Sequence, residues 1–121
     1  MAVLRVVDFL ELKAGQIVEN GAGVCEQQWQ CPADQYWQVD RAFVRTNSGA
    51  ATTLIVYTGG AVPSEEDGLD GSTSGNLDVA DNAAPWRVMP GQYLTLRWTG
   101  ASAGTVAKAH LQGRILKRYA S

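Results

Sequence analysis

The chain holds one histidine, His110, and two cysteines, Cys25 and Cys31, so a nucleophile with an imidazole base would have to be built on His110. His110 lies within a stretch that alternates apolar and polar residues, and it shares its parity with Lys108 and Gln112. Those neighbours are ordinary surface residues, so His110 is expected to be an exposed strand residue rather than a base. Cys25 and Cys31 would stand about 20 Å apart in one extended strand, beyond disulfide reach. The residues between them, Glu26 to Gln30, include no Gly or Pro to turn the chain back. Two thiols without a Cys or His cluster make no zinc site, so both are expected to be unpaired, buried cysteines.

Carboxylates are the other source of chemistry. Glu65, Glu66, Asp67, Asp70, Asp78 and Asp81 are half of the twelve acids, and no Lys or Arg lies between Arg45 and Arg87. Asp67-Gly68-Leu69-Asp70-Gly71 has the ingredients of a calcium cage but lacks the Asp-x-Asp-x-Asp-Gly spacing, so no metal is expected. Acids crowded on a glycine-rich loop are badly placed for the paired carboxylates of glycoside cleavage. There is no Gly-Lys-Ser/Thr phosphate loop and no strand–GxGxxG–helix unit. The chain is therefore expected to be no enzyme and to carry no cofactor. Trp29, Trp37, Trp86 and Trp98 could form a sugar-stacking platform, but aromatics at alternating positions serve packing first and are expected in a core.

The elements that would carry these residues read as strands. Leu94, Leu96 and Trp98 alternate with Tyr93, Thr95, Arg97 and Thr99. Ala107, Ala109, Leu111 and Ile115 form the core parity of a long run over 105–119, with Lys108, His110, Gln112, Arg114 and Arg118 on the other. With the loop 100–104 between them, these two stretches are expected to form a hairpin. A second hairpin is expected from 36–46 and 51–58 across Asn47-Ser48-Gly49-Ala50. In 36–46, Trp37, Val39 and Phe43 share a parity that Arg41 interrupts, which predicts a bulge or an inner face meeting a carboxylate. Shorter candidates are 3–12, 16–18, 24–30, 77–79 and 86–89, and 59–82 reads as a long acidic loop. Helix signals are thin. The expected fold is all-β: an antiparallel β-sandwich, jelly-roll-like, of eight or nine strands.

Composition agrees with one domain. The 121 residues weigh 13.0 kDa, enough for a single core. Net charge is −2 and the pI about 5.2, which argues against non-specific nucleic-acid or membrane-surface binding. No stretch approaches the ~20 apolar residues of a membrane span. Residues 1–12 do not read as a signal peptide, so synthesis and folding in a cytoplasm are expected. The domain division expected is 1–13 as an N-terminal arm or edge strand and 14–121 as the sandwich. In 1–13, Val3, Leu4, Val6, Val7, Phe9, Leu10 and Leu12 place apolar side chains on both parities, as in a strand covered on both faces.

Residues 31–60, CPADQYWQVDRAFVRTNSGAATTLIVYTGG, and 77–116, LDVADNAAPWRVMPGQYLTLRWTGASAGTVAKAHLQGRIL, resemble a recurring pattern in small virion proteins of tailed phages, especially those of actinobacterial hosts. The pattern is an aromatic-bearing strand after Pro, a short Gly turn, a β-rich strand ending in glycine, then an Asp-rich loop, a Pro-Gly turn and a Leu-Thr-x-Arg-Trp-Thr-Gly strand. The resemblance implies a β-sandwich capsid decoration protein, synthesised in the host cytoplasm and sitting on the virion's capsid surface. Its partner would be the major capsid protein, and it would act as a homotrimer. A minor tail or tail-tip protein and a carbohydrate-binding module are the alternatives.

The contact residues expected for such a role are Val3, Leu4, Val7 and Phe9 of the arm, Glu65, Glu66, Asp67 and Asp70 of the acidic segment, and Arg114 and Arg118. The 105–119 strand is the expected trimer wall, with Arg114, Lys117 and Arg118 meeting acids of the next copy.

Overall fold

The computed structural model describes residues 2–49, 52–62, 68–74, 79–80 and 86–120. Among them are nine strands and no helix: β1 (Ala2–Val18), β2 (Cys25–Gln30), β3 (Tyr36–Thr46), β4 (Thr52–Gly59), β5 (Gly68–Ser74), β6 (Val79–Ala80), β7 (Trp86–Val88), β8 (Tyr93–Thr99) and β9 (Val106–Ala120). One sheet has the order β1-β9-β3, with β6 and β7 both on the far side of β3. The other has the order β2-β8-β4-β5. Every ladder is antiparallel.

The pairs are nested. β4 pairs with β5, β3 with β6 and β7, β2 with β8, and β1 with β9. That is one long hairpin wrapped over itself into two sheets, the jelly-roll topology. The apolar parities meet between the layers. Leu94, Leu96 and Trp98 of β8 are buried, facing a cluster that includes Val39, Val44, Val88, Ala107, Ala109 and Leu111. Each large side chain buried there contributes roughly 1.5–3 kcal/mol. Cys25 and Cys31 are both buried and form no disulfide, and burial pushes the Cys31 thiol up to about 11. Trp37, Trp86 and Trp98 are core residues and Trp29 packs half-buried against them.

Two expected hairpins are arches instead. β3 and β4 lie in different sheets, as do β8 and β9. Alternation shows which side of a strand is buried; it does not distinguish a neighbour alongside from one stacked across the core. The two arches are tied to each other. Ser102 N–H donates to Ser48 Oγ at 3.1 Å, and Gly49 N–H donates to Ser102 Oγ at 2.9 Å. Val106 N–H donates to Asn47 Oδ1 at 2.8 Å. The expected 59–82 loop also changes character, because β5 and β6 lie within it and β5 closes a hairpin with β4.

Bulges reset the register of β3 and of β1. The β3–β9 register shifts between Val39 and Arg41. Of the two readings of Arg41, a bulge or an inner face meeting a carboxylate, it is the bulge that is present, and its extra residue flips the alternation. Ala42 and Val44 then point inward, while Phe43, expected on the core parity, is exposed. The candidates 3–12 and 16–18 are one strand, β1, whose register against β9 shifts between Val6 and Asp8 and again between Ala14 and Ile17. β1 forms the sheet edge and runs past residue 13 without interruption.

Candidate functional surface

The outer face of the five-stranded sheet is built rung by rung from β1, β9 and β3. Phe9, Arg114 and Gln38 share a rung, as do Glu11, Gln112 and Arg41, then Lys13, His110 and Phe43, and finally Lys108 with Arg45. Arg87 of β7 extends the first rung beside Gln38 and donates to its Oε1 at 2.9 Å. Among the described residues this face gathers seven Lys and Arg side chains (Lys13, Arg41, Arg45, Arg87, Lys108, Arg114 and Arg118) against two carboxylates, Glu11 and Asp40. Clefts run along it. One is lined by Gln16, Arg45, Asn47 and Lys108, another by Lys13, Phe43 and His110, a third by Phe9, Arg41, Gly113 and Arg114.

The carboxylates on this face hold cations in place. Arg114 grips Asp40 with two hydrogen bonds, Nε to Oδ2 at 2.9 Å and Nη2 to Oδ1 at 3.0 Å. The Arg114 guanidinium keeps the Asp40 carboxyl below its ordinary range. Lys13 Nζ lies 2.8 Å from Glu11 Oε1 and lowers that carboxyl in the same way. His110 Nε2 is 3.7 Å from the same oxygen. His110 is half-buried, less open than its flanking Lys108 and Gln112, and it faces Lys13 and Phe43 rather than a nucleophile. Among the described residues, no group of three or more His, Cys, Asp or Glu is gathered as if around a metal ion.

The expected contact residues divide. Val3, Val7 and Phe9 are exposed, Phe9 to 85 %, and Leu4 is half-buried. Of nine exposed large hydrophobic side chains among the described residues, five lie on β1: Val3, Val6, Val7, Phe9 and Val18. Within the single chain, β1 is thus left open from Val3 to Phe9 apart from half-buried Leu4, and becomes buried at Leu10. Arg114 and Arg118 are both exposed and both hold partners within the chain. Arg118 donates to Tyr36 Oη at 2.7 Å and stacks over its ring, and Lys117 lies 3.3 Å from Asp34. β9 runs between β1 and β3, so the 105–119 strand offers a partner a face and no edge. Glu65, Glu66 and Asp67 lie outside the described residues; Asp70 is on β5, in the register of Val56.

Sequence reasoning missed Arg45 and Phe43 as surface residues. The signal was present: Arg41, Phe43 and Arg45 recur at strand period, and only the flip at Asp40 hides their common direction.

No protein-family model and no curated protein matches the chain. Among solved structures it is similar to a chain of "Structure of infectious bursal disease virus Gt strain", with a TM-score of 0.35 and 9 % sequence identity, over 96 % of this chain and 32 % of that one. The chain therefore spans about a third of the length of the chain it matches.

Proposed function

We propose that this chain is a virion structural protein of a tailed phage, a capsid decoration protein that assembles as a homotrimer, binds the major capsid shell from outside and carries out no catalysis. The supporting observation is the surface of a small jelly roll that leaves an apolar edge strand, β1, next to a grooved cationic sheet face. Such surfaces are made to be covered. A rigid sandwich bridging neighbouring shell subunits adds buried area at each junction and slows their separation. The sequence resemblance over 31–116 supplies the virion setting. Burial of Trp37, Trp86 and Trp98 leaves the carbohydrate reading without its stacking platform.

The test is the copy number of the protein in purified particles. A number near that of the shell protein supports decoration. A handful per particle points to the tail, and absence from particles removes the virion role.

A further inference from the structure

We propose that copies of this chain associate head to tail, the acidic 65–70 segment of one copy seated on the cationic outer face of the next copy's five-stranded sheet. The inference deepens the self-assembly part of the function proposed above and is independent of its virion part.

The seat is centred on Arg45 and Lys108. They stand directly opposite each other on β3 and β9, and among the described residues neither has an ion-pair partner. Like charges facing across a ladder weaken it, and a carboxylate placed between them reverses that sign. Both line one cleft with Gln16 and Asn47. Asn47 accepts from Val106 N–H through Oδ1, which leaves its Nδ2 hydrogens as donors toward an anion. Phe43, 44 % exposed, adjoins this cleft beside Lys13 and His110. A cationic rim around an exposed aromatic ring fits an acidic polypeptide better than a bare mineral anion.

The occupant is written in the same sequence. Glu65, Glu66, Asp67 and Asp70 surround Leu69, in a stretch without Lys or Arg from 46 to 86. The segment leads into β5, whose first residue, Gly68, pairs with Tyr57 in the four-stranded sheet, the layer opposite the one that carries the seat. A second copy can present the segment to the seat from outside. Because seat and segment are different surfaces, the contact is heterologous, the kind that a three-fold ring is built from when its rotation closes.

Light scattering on the purified full chain, with paired charge reversals, tests this. One variant carries Arg45→Glu and Lys108→Glu; the other carries Glu65→Lys, Glu66→Lys and Asp67→Lys. Wild type is expected to form a closed oligomer at low salt that dissociates as NaCl rises to about 0.5 M. Each variant alone is expected to be a monomer, its association weakened on the order of tenfold or more. An equimolar mixture of the two is expected to associate again at low salt through contacts between unlike variants, matched at two of the three contacts of a three-membered ring, because each supplies the complement the other has lost. Thermal melts by circular dichroism check that both variants are folded. A wild-type monomer at low salt overturns the proposal, as does an oligomer that persists in both variants or a folded mixture that stays monomeric. Loss of particle binding with the oligomer intact would count against the virion reading alone.

Discussion

β8 and β1 show how position in a sheet decides what an apolar strand becomes. β8 has partners on both edges, β2 and β4, and a sheet stacked over its inner face. Its Leu94, Leu96 and Trp98 are at most 1 % exposed. β1 has one partner, β9, and is richer in valine, yet over Val3 to Phe9 only Leu4 reaches even half-burial. The bulge at Val6–Asp8 adds to the contrast, because it twists the edge and divides the apolar residues between two faces. Asp8 Oδ1 also takes the Phe9 N–H at 2.8 Å, so that amide is not offered to a further strand. Apolar density alone therefore does not mark a core strand: of the apolar side chains of β1, it is Leu10 and Ile17, farther along, that join the core.

The comparison can be broken by substitution. Trp98→Ala removes the largest fully buried side chain of the β8 side and is expected to cost about 3–5 kcal/mol in urea unfolding. A loss below ~1 kcal/mol would mean that β8 is not the core strand described. Gly113→Ala probes the β9–β3 contact that holds β1's only partner. A Cβ there would run into the Gln38 carbonyl oxygen and lie 2.8 Å from its carbonyl carbon, backbone that no rotamer change can move aside. The expected cost is about 1–3 kcal/mol, and an unchanged unfolding midpoint would contradict the close approach. Asp40→Asn sharpens the outer face. Asp40 titrates below its ordinary value of 3.8 when folded, so its contribution is fully present above that value and fades as pH falls through the lower folded value. Wild type is expected to melt slightly above the variant at neutral pH, with the gap closing in acid. A gap independent of pH would assign the effect to packing. Phe9→Ser, at an 85 % exposed edge position, should change the stability of the isolated chain by no more than about 0.5 kcal/mol. A large loss would show that β1 is covered within the single chain after all.

Much of this architecture was legible in the sequence because strand period reports burial directly. The inward parities of β8 and β9, the core tryptophans, the unpaired cysteines and the bulge beside Arg41 all followed from residue spacing. Pairing was not legible. β8 and β9 alternate as hairpin strands do, yet the loop between them crosses the core, and no local residue distinguishes the two routes. The surface was read less well than the core. The carboxylate that Arg114 holds was not legible, because Asp40 is 74 positions away in sequence and becomes a neighbour only through the β3–β9 ladder. Phe43 was assigned inward because one extra residue at Asp40 reverses every direction after it.

The nesting of the strand pairs has a consequence for the order in which the molecule can assemble. The β4–β5 hairpin joins residues close in the chain and can form early, whereas Ala2 must find Ala120. Each outer pair closes a longer loop than the one inside it, so loop-closure cost rises outward along the nest and is largest for the β1–β9 pair. Until β9 is laid down, Val3, Val6 and Val7 have no strand to rest on. Of all the strands described, β1 is therefore the one most exposed to capture by another chain during folding, and a chaperone or a protease would meet it first.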